Sequence, residues 1–190
     1  MNMRRRGHEP YLLLDDRAGG TLRARNGASW RVVGDTVMGG VSDARLRVDV
    51  VEGRPCLRMS GDVNLIRNGG FIQMGLDLGR AGVLDAGEFS GIEIEVHGNG
   101  ETYNLHLRSG DTRIVWQSYR SSFTAPPEWR TLRLPFSDFL PHRIGIPLDP
   151  SRLCRLGVAA IGREMSADIC VGRIGLYGGP AASDDAAGGG

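Results

Sequence analysis

The sequence has too few cysteines and too little net charge for several large classes of protein. Cys56, Cys154 and Cys170 are an odd number without a Cys-x-x-Cys spacing. They argue against a disulfide-rich secreted scaffold and favour three reduced thiols. The 23 basic and 22 acidic side chains leave a net charge of +1, and the arginines are scattered. We therefore expect no nucleic-acid partner.

Long apolar runs are also missing. Near the N-terminus, only residues 12–14 are continuously apolar before two aspartates. A secretory signal needs a core of about 7–15 apolar residues, and a membrane-spanning helix needs about 20. We expect a soluble, cytoplasmic protein without membrane insertion.

Signatures of nucleotide binding and catalysis are absent or incomplete. No Walker-type phosphate loop occurs, and residues 98–100 (GNG) join two predicted strands, unlike a dinucleotide fingerprint. Residues 40–44 (GVSDA) approximate the G-x-S-x-G elbow, which requires a helix after its serine. The residues after Ser42 alternate like a strand instead. We expect no cofactor and no catalysis, with a nucleophilic Ser42 as the less favoured alternative to a structural turn.

Glycine and a period of two are abundant instead. The 29 glycines show no Gly-X-Y repeat and lie between apolar runs, as in a chain with many turns. Apolar and polar residues alternate through 46–50, 57–60, 72–76 and 132–134, which predicts half-buried strands of antiparallel sheets. Roughly nine to eleven strands, about 8–14 residues apart, predict an all-β antiparallel sandwich. At most, residues 135–140 form one short helical turn.

One hairpin can be derived in register from residues 91–110. Asn99-Gly100 suits the centre of a two-residue type I′ turn, because both positions need a positive φ. That turn would align three apolar pairs on one face: Ile92 with Leu107, Ile94 with Leu105, and Val96 with Tyr103. Four potential metal ligands would share the other face: Glu93, Glu95, His97 and His106. Such a set is more often a solvated face with ion pairs, so we expect no metal.

Aromatic residues are few, and three lie close together in residues 114–123 (IVWQSYRSSF). On a concave sheet, exposed rings beside polar residues would stack on sugars or on partner side chains, whereas buried rings would anchor the core. Both alternatives are open for Trp116 and Tyr119. The candidate binding residues on such a sheet are Trp116, Tyr119, Tyr103 and Arg108.

Three segments, in order along the chain, resemble the complex I intermediate-associated protein 30 family. Residues 29–43 (SWRVVGDTVMGGVSD) resemble its Trp-x-x-x-x-Asp-x-Val-Met-Gly-Gly-x-Ser signature. Residues 60–74 (SGDVNLIRNGGFIQM) match its Ser-Gly-x-Val and Asn-Gly-Gly-Phe elements. Residues 119–145 contain YRSSF, Trp129 and LPFSDFLPHRIG. One departure is HGNGE at 97–101, where the family has a turn resembling Arg-Gly-Asp-Gly-Arg.

The resemblance implies a galactose-binding-like jelly roll and a non-catalytic role. The implied partner is a protein, and the implied function is that of an assembly factor or chaperone for NADH:ubiquinone oxidoreductase. A carbohydrate-binding module that uses its concave sheet is the alternative. We expect a single domain over residues 10–178, with disorder in residues 1–9 and in the small, polar tail at 179–190.

The signature residues are predicted to form tight turns. Asp35 can accept a hydrogen bond from the N–H two residues on, which closes an Asx turn. Residues 68–70 (Asn-Gly-Gly) resemble a second turn that packs against the first. A ligand-binding polar rim of Asp35, Ser42 and Asn68 is the less favoured alternative. The predicted turn residues are Asp35, Gly39, Gly40, Asn68, Gly69, Gly70, Asn99 and Gly100.

Overall fold

The computed structural model describes residues 9–79 and 82–178, so the segments expected to be disordered lie outside the described residues, apart from Glu9. Twelve antiparallel strands make up the described fold. The strands are β1 (Tyr11–Asp15), β2 (Arg31–Gly34), β3 (Arg45–Val51), β4 (Arg54–Val63), β5 (Phe71–Asp77), β6 (Gly91–His97), β7 (Thr102–Ser109), β8 (Ser118–Thr124), β9 (Arg130–Pro135), β10 (Leu140–His142), β11 (Leu153–Ile161) and β12 (Met165–Tyr177). This confirms the predicted all-β antiparallel sandwich, with slightly more strands than the sequence suggested.

The strands form two six-stranded sheets that share one apolar core. Sheet 1 has the order β3-β4-β12-β6-β9, and β1 pairs with the end of β12. Sheet 2 has the order β10-β8-β7-β11-β5-β2. Alternate residues of the central strands point into the core, as Leu105 and Leu107 of β7 and Ile92 and Ile94 of β6 do. Burying each such side chain stabilises the fold by about 1.5–3 kcal/mol. The apolar positions of the two-residue period therefore form the inner faces of the sheets.

The predicted hairpin of β6 and β7 is wrong, because these consecutive strands lie in different sheets. β6 pairs with β12 and β9, whereas β7 pairs with β11 and β8. The apolar residues of both strands do face one another, but across the core and without ladder hydrogen bonds between them. Alternation of apolar and polar residues indicates which face of a strand is buried. The apolar residues are buried equally well against a facing sheet, so alternation does not identify the neighbouring strand.

Residues 97–101 form a corner between the sheets. Gly98 and Gly100 donate backbone hydrogen bonds to Pro126 and Ala125, each at 2.8 Å. Gly100 has a φ of 84°, whereas Asn99 is not among the residues with positive φ, so the turn is not type I′. Asn99 instead uses its side-chain amide to donate to the carbonyl of Ser166 at 2.8 Å.

The corner also separates the four potential metal ligands. The side chains of Glu93, Glu95 and His97 lie on the outer face of sheet 1, while His106 lies on the outer face of sheet 2. Within residues 9–79 and 82–178, no three His, Cys, Asp or Glu side chains are grouped as a metal site would require.

Helical structure in the described ranges is limited to four 3-10 segments. One of them, Phe136–Asp138, lies inside the predicted turn at 135–140. The others are Asp35–Met38, Ile66–Asn68 and Pro150–Arg152. Within the described part of the chain, no helix has the length and apolar character needed to span a membrane.

Candidate functional site

The two signature turns meet at the carboxylate of Asp35, which is 0% exposed. Asp35 Oδ1 accepts a hydrogen bond from the backbone N–H of Ser42 at 2.9 Å, and Oδ2 accepts one from the Ser42 hydroxyl. The backbone N–H groups of Gly70 and Phe71 also donate to Oδ2, at 2.5 and 3.4 Å. Asp35 therefore joins three chain segments, and the predicted Asx turn depends on Val37, which lies outside the residues whose contacts are described.

The signature glycines make room for this carboxylate. A Cβ on Gly40 would collide with the Asp35 carboxyl group, and one on Gly69 would lie 2.5 Å from its Oδ2. Gly39 has a φ of 85°, which favours glycine, and ends the 3-10 segment Asp35–Met38. The Val-Met-Gly-Gly-x-Ser and Asn-Gly-Gly-Phe elements are thus parts of one buried cluster.

Hydrogen bonding keeps Asp35 ionised inside this cluster. Burial acts to raise its pKa, but the bonds from Ser42, Gly70 and Phe71 together outweigh burial and hold the pKa below its ordinary value. The Ser42 hydroxyl is buried and also accepts from the Asn64 N–H at 2.9 Å. Asp35 and Ser42 therefore do not form a solvent-facing rim. The side chain of Asn68 lies outside the described residues.

Two of the four candidate sheet residues belong to the core. Tyr103 and Tyr119 are fully buried on the inner face of sheet 2, so neither can offer its ring to a ligand. Arg108 is on the outer face, but it holds the following loop by donating to Thr112 Oγ1 at 3.3 Å and to the Ile114 carbonyl at 3.2 Å. Trp116 lies beyond the sheet, in the loop between β7 and β8.

That loop presents three consecutive apolar side chains to solvent. Val115 is 73% exposed and Trp116 is 51% exposed, and Ile114 is also exposed. Gln117 fixes the loop, since its Oε1 accepts from the Arg113 N–H at 2.8 Å. Its Nε2 donates to the Arg143 carbonyl at 3.1 Å and so ties the loop to the segment after β10.

We call the resulting surface the edge surface. It comprises Arg113, Ile114, Val115, Trp116, Leu140, Arg143 and Ile146, all exposed. Two of these residues, Leu140 and Ile146, also line an apolar pocket of about 630 Å³ that is formed by residues of the segment 136–148. No carboxylate of the described residues pairs with Arg113 or Arg143, although most charged arginines elsewhere are paired. One feature of the sequence indicates this surface, the three consecutive apolar residues Ile114–Trp116. Such a run does not alternate with polar residues, so it does not match a half-buried strand.

The outer face of sheet 2 is a second concentration of functional groups. Gln73, His106 and Arg120 lie on β5, β7 and β8, and become neighbours through the pairing of four strands. Gly157 of β11 lies between His106 and Gly75 of β5. Sequence reasoning missed this group because the three polar residues are far apart in the chain.

The family model described as Complex I intermediate-associated protein 30 matches residues 22–170. No curated protein matches the chain at a significant level by sequence. Among solved structures, a family 11 carbohydrate-binding module from Clostridium thermocellum, in complex with a β-1,3-1,4-mixed-linked tetrasaccharide, has a TM-score of 0.68 at 17% identity, over 88% of this chain and 95% of that one.

Two further solved structures share the fold. A family 30 carbohydrate-binding module of a Clostridium thermocellum cellulosomal cellulase gives a TM-score of 0.62 at 15% identity, covering 93% of this chain and 99% of its own. An exo-β-agarase gives 0.60 at 10% identity, over 92% of this chain but 26% of the agarase. At these identities the likeness establishes the jelly-roll fold alone.

Proposed function

The chain belongs to the complex I intermediate-associated protein 30 family, and from that premise we propose that it is a non-catalytic protein-binding module. Its role in this proposal is that of an assembly factor or chaperone for a respiratory complex. The observation that carries the proposal is the edge surface, where Ile114, Val115 and Trp116 are exposed beside Arg113 and Arg143.

The composition of this surface suits a protein partner. Tryptophan and arginine are the residues most enriched among energetic hot spots of protein interfaces. Removing Val115 and Trp116 from water on binding would stabilise a complex by roughly 25 cal/mol per Å² of apolar area. Arg113 and Arg143 are free of carboxylates among the described residues, so they can pair with acidic groups of a partner. We therefore propose that the partner presents an apolar segment flanked by acidic residues.

A matched pair of exposed valines tests this proposal. Val115 is 73% exposed on the edge surface and Val50 is 64% exposed on β3 of sheet 1. We expect subunits of NADH:ubiquinone oxidoreductase, identified by mass spectrometry, to be recovered from solubilised respiratory membranes with the wild type and with Val50→Asp. Val115→Asp should lose them, because it places a negative charge in the apolar contact. Equal recovery by both variants, or none by the wild type, would contradict the proposal.

Carbohydrate binding is the second candidate function. The observation in its favour is the fold likeness to two families of carbohydrate-binding modules, one with a bound tetrasaccharide. Trp116 lies in a loop at the edge of sheet 2 and not on the face of the sheet. A glycan array with the wild type and Trp116→Ala tests carbohydrate binding apart from the edge surface. Glycan binding on the sheet face should survive this substitution. An array without any signal would remove the candidate.

A further inference from the structure

Gln73 and His106 form a hydrogen-bonded pair across an intervening strand. Gln73 Oε1 lies 3.1 Å from His106 Nδ1. The contact spans β11 because Gly157 has no side chain, and a Cβ there would lie 2.5 Å from Gln73 Nε2. The Gln73 side chain is thus laid over the backbone of β11, which fixes the orientation of the imidazole ring.

This contact defines the chemistry of the ring. A carbonyl oxygen only accepts, so His106 Nδ1 carries the hydrogen and Nε2 carries a lone pair. Burial, together with the nearby charges of Arg120 and His142, lowers the pKa of His106 to about 3, so the ring is neutral. His106 is 7% exposed, and Nε2 has no hydrogen-bond partner in the described structure. A buried acceptor without a donor is uncommon in folded proteins.

A strong donor lies on the strand next to this unpartnered acceptor. On β8, Arg120 is the residue directly opposite His106 on the same outer face, and its charge is near enough to lower the pKa of His106. Arg120 donates from Nε to Ser118 Oγ at 2.9 Å, and no carboxylate in residues 9–79 or 82–178 pairs with it. The His106 lone pair and the Arg120 guanidinium therefore lie on neighbouring strands of the outer face of sheet 2.

A hydroxyl group is the ligand chemistry that satisfies both sides. It donates one hydrogen bond and accepts others at the same atom, so it can donate to His106 Nε2 and accept from Arg120. A carboxylate only accepts, and would leave Nε2 without a partner. An ammonium group could donate to Nε2, but the positive charge of Arg120 would repel it. Because Nε2 is shielded from solvent, the side chains that cover it must move to admit the hydroxyl.

We propose that the outer face of sheet 2 binds a neutral saccharide, with one hydroxyl held between His106 Nε2 and the Arg120 guanidinium and with Gln73 orienting the imidazole ring. This site rests on the second candidate function and gives it residues other than Trp116, Tyr119, Tyr103 and Arg108. Its three residues are not part of the edge surface, although Arg120 is the partner of Leu140 in the ladder of β8 and β10. The substitution at Val115 and those at Gln73 and Arg120 therefore test the two functions one at a time.

Imidazole nitrogen NMR tests the site directly, because the chain has only 4 histidines. The ¹⁵N-labelled protein is titrated with β-1,3-1,4-linked tetrasaccharide, cellotetraose and agarotetraose, and with sodium acetate as an anion. We expect at least one saccharide to move the Nε2 resonance of His106 saturably upfield, as acceptance of a hydrogen bond requires, and acetate to leave it in place. No shift with any of the three saccharides, or a shift with acetate alone, would overturn the proposal.

Variants separate binding from folding. Arg120→Ala and Gln73→Ala should each weaken saccharide binding about tenfold, the loss of roughly one good hydrogen bond. His97→Gln, on the outer face of the other sheet, is the matched control and should bind like the wild type. Circular dichroism confirms that each variant is folded. Unchanged affinity in both Arg120→Ala and Gln73→Ala would refute the assignment of these residues, and the Val115 experiment would be unaffected.

Discussion

At the scale of single residues, the most informative feature is a charged side chain without a charged partner. Asp35 is compensated by hydrogen bonds from two backbone N–H groups, a third longer one and the Ser42 hydroxyl. Each loses its partner if the carboxylate is removed, and a buried unsatisfied donor costs about 1–3 kcal/mol. We therefore propose that the signature motif serves the stability of the fold.

We expect Asp35→Asn to lower the free energy of unfolding by about 3 kcal/mol, because an amide NH₂ would face N–H donors. For a domain of this size, this corresponds to a fall in Tm of roughly 6–12 °C. Asp43→Asn is the control, since Asp43 is exposed and its ion pair with Arg45 is a surface pair, worth about 0–1 kcal/mol. Urea unfolding measures both, and equal stabilities would contradict the structural role of Asp35.

The lowered pKa of Asp35 predicts a specific acid response. Its folded-state pKa lies below the unfolded value of about 3.9, so its contribution is fully present above that pH. The contribution is lost as pH falls through the folded-state pKa. The stability gap between the wild type and Asp35→Asn should therefore be constant from pH 7 to about pH 5 and narrow below pH 4. A gap that widens with acid would contradict the assigned direction.

At the scale of secondary-structure elements, the topology depends on the chain crossing from β6 in sheet 1 to β7 in sheet 2. Tyr103, the second residue of β7, donates its hydroxyl to Asn99 Oδ1 at 2.7 Å and accepts from the Asp168 N–H of β12 at 2.9 Å. It thereby links the corner and both sheets. Burial is the main reason that the pKa of Tyr103 rises to about 12, so the hydroxyl keeps its proton.

Tyr103→Phe should therefore destabilise the protein by about 1–2 kcal/mol, since it leaves the partly buried Asp168 N–H of β12 without its acceptor. Tyr177→Phe is the matched control. Tyr177 is also buried, but its hydroxyl has no partner in the described structure, so its removal should change stability by less than about 0.5 kcal/mol. Thermal unfolding of both variants makes the comparison, and a larger loss in Tyr177→Phe would contradict it.

At the scale of the whole molecule, two sheets enclose one core, which favours a single domain over the described residues. Cys56 and Cys170 are buried on strands β4 and β12, whereas Cys154 is half-buried on β11. The reactivity of the three thiols therefore reports on the integrity of the sandwich.

We expect one of the three thiols to react with an aromatic disulfide reagent in the native protein, and all three to react in urea. Cys56 and Cys170 should become reactive in the same single transition in which the β-type circular dichroism signal is lost. Cys154→Ser removes the fast phase and identifies it. A core thiol that reacts before the circular dichroism changes would indicate separate unfolding of one sheet.

The sequence by itself determined the fold class, the family and the buried face of strands such as β6 and β7. On β3, by contrast, Val48 and Val50 of the alternating run 46–50 are exposed. The alternation of apolar and polar residues fixes which side chains of β6 and β7 point into the core, and glycines mark the corners between strands. Both features depend on interactions within a few residues of the chain. The Val-Met-Gly-Gly-x-Ser and Asn-Gly-Gly-Phe segments identified the family before the cluster around Asp35 could be described.

Only the tertiary structure decided which strands are hydrogen-bonded neighbours and which polar groups meet. Burial of Ile94 and Leu105 is equally favourable in one sheet or across two, so the pattern could not choose between a hairpin and a crossing. The contacts of Asp35 with Gly70 and of His106 with Gln73, and the pairing of His106 with Arg120, depend on strand order. Strand order is set by the packing of the whole core, which no local stretch of sequence encodes.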